Sequence, residues 1–214
     1  MTEQQAAFWD IIEVFEKEGL LSYVMVIGSW AEYIYQHHLI TGFTANLRTR
    51  DIDFFYPNIG RPQKHDIKII KSLREKGFVY AEDPLSGAGR FFKEELLELE
   101  FLTRALGKGK SVNEIPSLNI KAEALREINM LAKYPLQLDC NDFIITVPEP
   151  EVYILQKLLT NPTRTEDKKE KDIQAVRVLL RHVKMDRLRQ IFDGMSKKEK
   201  RAVNDTKEKH FIEF

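Results

Sequence analysis

Apolar residues recur at helical spacing between positions 4 and 18, where Phe8, Ile11, Ile12 and Phe15 share one face and Gly19 supplies a stop. The pattern then shortens. "YVMVIG", residues 23–28, is apolar and β-rich, which predicts a buried strand, and Ser29 is placed to cap the helix "WAEYIYQHHL". Residues 41–47 read as a loop and 51–56 as a second strand, closed by Pro57 and Asn58. Pro62 opens a helix with Ile67, Ile70 and Leu73 facing inward and Gly77 at its end. Residues 78–80 predict a strand edge, and "LLELEFL", residues 96–102, a third central strand. Phe54, Phe55, Phe91, Phe92 and Phe101 are expected in the core. Residues 103–117 read as loose chain and 122–131 as a short helix, followed by a hairpin of "LQLDC" and "FIITV" turning at Asn141-Asp142.

Beyond Pro148 only helical patterns remain: residues 149–159, 168–182, 185–192, and a charged helix from 197. The expectation is an α+β front domain, residues 1–147, and a helical C-terminal domain, residues 148–214.

The 214 residues are 43% apolar and 31% charged with no net charge, a globular balance that argues against disorder. The neutrality is uneven. Glu94, Glu95, Glu98 and Glu100 make the middle acidic, and lysine and arginine recur from Lys157 onward. The basic run from Lys184 to Lys209 is the natural contact if a second substrate is a nucleic acid. One cysteine, Cys140, excludes an internal disulfide and a multi-cysteine zinc site. No basic leader with an apolar run opens the chain, and no apolar stretch approaches the ~18 residues of a membrane span. A cytoplasmic location without membrane contact is expected.

The stretch "RTRDIDFF" carries the chemistry. On a strand, Asp51 and Asp53 face one side with Cα atoms ~6.5–7 Å apart, while Ile52 and Phe54 face the other. Two adjacent carboxylates repel unless a cation stands with them, and hard carboxylate oxygens are the usual protein ligands of magnesium. Glu98 and Glu100 repeat the spacing on the third strand. If the two strands are neighbours, three carboxylates can meet and hold two ions about 3.5–4 Å apart, the clamp used for in-line phosphoryl displacement. Gly28-Ser29, at a strand-to-helix turn, offers backbone N–H groups and a helix N-terminus to an anion. Arg48 and Arg50 stand just before the acids, where they can steer phosphates or pair with Asp51. His37 and His38 are adjacent on a helix and point apart, so no metal role is expected of them.

"VIGSWAEYIY", "TRDIDFF" and "LELEFL" together resemble the nucleotidyltransferase fold of the DNA polymerase β superfamily, and more closely small bacterial nucleotidyltransferase-like proteins that include toxin components of abortive-infection-type systems. The resemblance covers residues 20–182. It implies a mixed sheet flanked by helices and followed by a helical domain. It implies that Gly28 and Ser29 hold a triphosphate and that Asp51 and Asp53 bind the metals. Glu100 is the third acid by its "EFL" context, with Glu98 the alternate. The segment "YILQKLLTNPTRTEDKKEKDIQAVRVLL" resembles the family's later helical motif, which implies that Lys157, Arg164 and Lys168 face the triphosphate and that Asp172 is the motif's acid. The interval between Ser29 and Asp51, holding "HHLITGFTANLRTR", is longer than in compact members and reads as a substrate loop.

The expected activity is transfer of a nucleoside monophosphate from an NTP to an acceptor hydroxyl, with two Mg2+ ions and release of pyrophosphate. The sequence leaves three acceptor classes open: RNA, a protein or a small molecule. The alternative is a non-catalytic binding module, or one partner of a toxin–antitoxin pair.

Overall fold

The structure, a computed structural model, describes residues 1–45, 49–61, 67–107 and 110–214. Helix α1 (Glu3–Lys17) starts with a reciprocal cap: the Gln5 N–H donates to the Thr2 hydroxyl, and the Thr2 N–H donates to the Gln5 side chain. Phe8, Ile11, Ile12 and Phe15 are buried along one stripe, as their spacing predicts.

The elements that follow are β1 (Met25–Ile27), α2 (Gly28–His38), β2 (Asp51–Phe55), α3 (Ile69–Glu75), β3 (Val79–Glu82), β4 (Gly89–Lys93), β5 (Leu97–Arg104), β6 (Val112–Ile115) and β7 (Ile120–Leu125). Then come α4 (Asn129–Lys133), β8 (Pro135–Cys140) and β9 (Phe143–Pro148). Four helices complete the chain: α5 (Pro150–Thr160), α6 (Glu166–Leu179), α7 (Met185–Asp193) and α8 (Lys197–His210).

Seven strands make one mixed sheet with the path β1-β2-β5-β4-β3. β2 and β5 are parallel, whereas β1 and β4 run antiparallel to the strands they flank. β4 takes the first half of the other edge of β5, and β7 takes the end of that edge, with β6 paired to β7. β8 and β9 form a separate hairpin. Its turn is the expected one, with Asn141 and Asp142 both at positive φ (52° and 73°).

Period-2 alternation gives the central strands two unlike faces. One face carries Ile52, Phe54, Leu99 and Phe101, all buried. Phe15 of α1 packs there, 4.6 Å from the Phe54 ring and 5.7 Å from the Phe101 ring. The other face carries the acids. The C-terminal helices bury Leu155, Leu158, Ile173, Leu188 and Val203 in the same continuous core. Tyr35 ties that part to α2, its hydroxyl donating to the Pro148 carbonyl at 2.7 Å. This is the expected α+β arrangement, with a mixed sheet, flanking helices and a helical C-terminal part. Among the described residues no helix is long and apolar enough to cross a membrane.

Four expectations change, one being that Phe92 is only half-buried, paired with Glu98 on the acid face rather than set in the core. Residues 120–125 form a strand, where the sequence predicts a helix over 122–131; only Asn129–Lys133 is helical there. "IKAEAL" is rich in strong helix formers, yet Ile120, Ala122 and Ala124 alternate inward, and pairing to β5 and β6 overrides local propensity. Residues 112–115, read as loose chain, are the β6 strand beside it. The cap position of α2 is Ile27, with the helix starting at Gly28, so Ser29 lies inside the first turn and does not cap it. The expected helix start at Pro62 lies outside the described residues, and the helix is assigned from Ile69.

Phe15 packs across the apolar face of both strands that carry the acids, so Phe15→Ala should destabilise the protein by about 3–5 kcal/mol. Urea denaturation checks this.

Candidate active site

Three stretches of backbone meet at one end of the sheet: the β1–α2 turn, the start of β2 and the start of β5. Strand register sets their alignment. Ile27 lies opposite Asp53, Asp51 opposite Glu98, and Asp53 opposite Glu100. Residues paired across neighbouring strands point to the same face, with the strands ~4.8 Å apart. Asp51, Asp53, Glu98 and Glu100 therefore form a block of four carboxylates on one face. Both Glu98 and Glu100 belong to the block, with Glu100 the one beside Asp53.

Gly28 brings the turn hard against this block. Its φ is +64°, and a Cβ built on it would lie 2.6 Å from Asp53 Oδ2. Only glycine fits both the left-handed backbone and the close approach. The cap residue Ile27 makes no side-chain hydrogen bond to the first turn of α2. Gly28 and Ser29 stand at that turn.

The charges reshape one another. Burial raises Asp53 to about 6, helped by the charge of Asp51 and opposed by Arg164 and Lys168. Burial, then the charge of Asp53, lifts Glu100 to about 8, against the pull of Arg90. Glu123 on β7 adds to the negative field at both. Asp53 and Glu100 thus keep protons to a higher pH than isolated carboxylates, the behaviour of acids crowded without enough positive charge.

Two cation sources flank the block. On one side Arg90 of β4 sits opposite Glu100, with Nη1 2.6 Å from Glu98 Oε1 and Nε 3.1 Å from Glu100 Oε1. On the other, Arg164, just before α6, and Lys168, in its first turn, act electrostatically on Asp53. Arg50 is exposed beside Asp51, and its carbonyl accepts the Glu98 N–H at 2.9 Å. Arg48 lies outside the described residues.

Lys157 and Asp172 are brought together behind the turn. Lys157 Nζ donates to Asp172 Oδ1 at 2.7 Å and lies 3.8 Å from Glu32 Oε1. It also rests 4.8 Å from the centroid of the Tyr153 ring. Asp172 is 4% exposed, and its second oxygen is 3.4 Å from Arg164 Nε. The Tyr153 hydroxyl donates to Glu32 Oε1 at 2.6 Å and stands 3.0 Å from the Gly28 carbonyl. Burial and Glu32 hold Tyr153 well above the usual tyrosine range, so it stays a donor. A buried polar chain thus joins the glycine turn to α5 and α6.

Arg90, Glu123, Glu32 and Tyr153 were not singled out from the sequence. Glu32 left a signal, a lone acid within the apolar run "WAEYIY". Arg90 and Glu123 left none, because only strand register brings them to the acids.

As for a metal, no three His, Cys, Asp or Glu side chains among the described residues stand close enough to enclose an ion in their present positions. The donor chemistry does fit one. The oxygens are hard carboxylates, and the excess negative charge that keeps protons on Asp53 and Glu100 is the kind a dication removes. Asp51, Asp53 and Glu100 are the candidate ligands.

The family profile described as "Nucleotidyltransferase" matches residues 7–199. The chain belongs to the nucleotidyltransferase family. Solved structures agree on the fold of this nucleotidyltransferase. An antigenic nucleotidyltransferase-like protein from Paracoccidioides brasiliensis is similar over 98% of this chain and 90% of its own, at 12% identity and a TM-score of 0.54. ANT(2")-Ia, solved in complex with adenylyl-2"-tobramycin, is similar over 89% of this chain and 95% of its own, at 13% identity and a TM-score of 0.52. At such identities the likeness concerns the fold alone. No curated protein matches the sequence.

Two outcomes are expected of this nucleotidyltransferase. Gly28→Ala should cost about 1–2 kcal/mol for the left-handed backbone alone, with the clash at Asp53 added, measured by denaturant unfolding. With chelator present, Asp53→Asn should become progressively more stable than the wild type as pH rises from the ordinary carboxylate range to about 8. Across that window the folded wild type holds protons that the unfolded chain has released, so rising pH costs it stability. Parallel denaturation series check this, and a constant difference would contradict it.

Proposed function

We propose that this nucleotidyltransferase moves a nucleoside monophosphate from an NTP to an acceptor hydroxyl, using magnesium. One observation carries the reading: the register that sets Asp51 and Asp53 beside Glu98 and Glu100, on the face where Gly28 presses against Asp53. Asp51, Asp53 and Glu100 would hold the ions. Bound magnesium supplies charge neutralisation for the triphosphate and its leaving group.

The remaining work falls to the chain. The N–H groups of the Gly28-Ser29 turn bind phosphate oxygens at the start of α2. Arg164 and Lys168 place positive charge on the same side, and Arg50 flanks the entrance beside Asp51. Lys157 and Asp172 act from behind, and Asp172 attracts Arg164 by charge across 3.4 Å. The acceptor oxygen attacks the α-phosphorus, the bond from that phosphorus to the bridging oxygen breaks, and pyrophosphate leaves. The hydroxyl proton passes to Glu100, the carboxylate beside Asp53. Most of the rate enhancement is positioning and charge placement.

The test is incubation with each labelled triphosphate and total cell extract, followed by asking which fraction, RNA, protein or small molecule, becomes labelled. Asp53→Asn should lower pyrophosphate release by at least about a hundredfold while its thermal midpoint in chelator is unchanged or raised. A triphosphate should stabilise the wild type only with magnesium present. Absence of any such shift would instead favour a non-catalytic module, whether alone or in a toxin–antitoxin pair.

A further inference from the structure

Arg90 holds the acids unequally. Its guanidinium is anchored on Glu98, where Nη1 donates to Oε1 at 2.6 Å. Nε lies 3.1 Å from Glu100 Oε1, but that contact is misaligned, leaving Nε a buried donor without a hydrogen bond. The side chains are not free to wander, with 32% of Arg90, 24% of Glu98 and 15% of Glu100 exposed. The Glu98 arm is thus a formed, charge-assisted bond, whereas the Glu100 arm is attraction without a bond. Arg90 also faces Glu123, and it is the cation nearest the block from the β4 side. The same asymmetry separates the two glutamates. Glu98 already spends an oxygen on Arg90, while Glu100 can leave it without breaking a hydrogen bond.

We infer that Arg90 is a positioning residue, a built-in counter-ion tethered to Glu98 that keeps Glu100 in place until a divalent cation takes that carboxylate over. The inference rests on the metal-dependent reading above. It makes Arg90 a competitor of the ion: the guanidinium offsets the carboxylate charge before a dication binds and repels the dication as it arrives. Glu98 is the tether, and Glu100 is the carboxylate that changes partners.

The experiment is Mn2+ binding to the full chain, by calorimetry and by the signal of free Mn2+ in electron paramagnetic resonance, without nucleotide. Arg90→Gln should bind Mn2+ about tenfold more tightly than the wild type, since a unit positive charge a few ångströms away is gone. Arg90→Lys keeps the charge and should stay within about threefold of the wild type. In chelator Arg90→Gln should melt lower than the wild type, and saturating Mn2+ should restore more of its stability than it adds to the wild type. If Arg90→Gln proves too unstable, Glu98→Ala serves instead. Removing the acceptor lets Arg90 close fully on Glu100, so Mn2+ binding should weaken, and adding Arg90→Lys, which lacks the fork, should recover part of that loss, whereas loss of the Glu98 charge alone allows no recovery. Equal or weaker binding by Arg90→Gln, or no recovery when Arg90→Lys is added to Glu98→Ala, overturns the inference. Failure of the underlying reading looks different: the wild type itself binds no Mn2+, or Asp53→Asn binds it equally well.

Discussion

Parallel pairing of β2 with β5 is the constraint on which the site depends. It sets Asp51 against Glu98 and Asp53 against Glu100, so that one face of two buried strands carries four like charges. Neighbouring strands lie too close for those charges to ignore one another. The opposite face of the same residues holds Ile52, Phe54, Leu99 and Phe101 against α1. A slip of one residue would exchange the faces, drive the acids into the core and expose the aromatics. Hydrophobic packing on one side therefore enforces electrostatic crowding on the other. Protons on Asp53 and Glu100, the Arg90 guanidinium and an incoming cation are different answers to that crowding.

The glycine turn and the C-terminal helices belong to the same assembly. Gly28 takes a left-handed φ against Asp53, and its carbonyl lies beside the Tyr153 hydroxyl. Through Glu32, Lys157 and Asp172 the chain of contacts reaches Arg164. Most of these groups are buried, and Lys157 with Asp172 is a charge pair removed from water. Such a pair gives little net stability but penalises loss of either partner. Its use here is alignment. It holds Asp172, whose charge draws Arg164, just before α6, and Arg164 in turn bears on Asp53.

Much of this was legible in the residues. "RTRDIDFF" and "LELEFL" announce their two faces by strict alternation, and Gly28-Ser29 marks a strand-to-helix turn where only glycine fits. The helices after Pro148 follow their periodicity closely. What escaped was whatever depends on partners distant in sequence. "IKAEAL" carries helix-favouring residues and becomes a strand because β5 and β6 offer edges to it. Arg90 and Glu123 matter through register alone. Lys157, expected to face the triphosphate, is engaged with Asp172 and Glu32, a contact no spacing rule encodes.

The most direct test of the central claim is an anomalous difference map from crystals grown with Mn2+ and a non-hydrolysable triphosphate. The account predicts metal density between the carboxylates of Asp51 and Asp53, with Glu100 turned toward it and the triphosphate along the first turn of α2. Metal density elsewhere, or a triphosphate bound away from Gly28 with the four carboxylates unaltered, would contradict it.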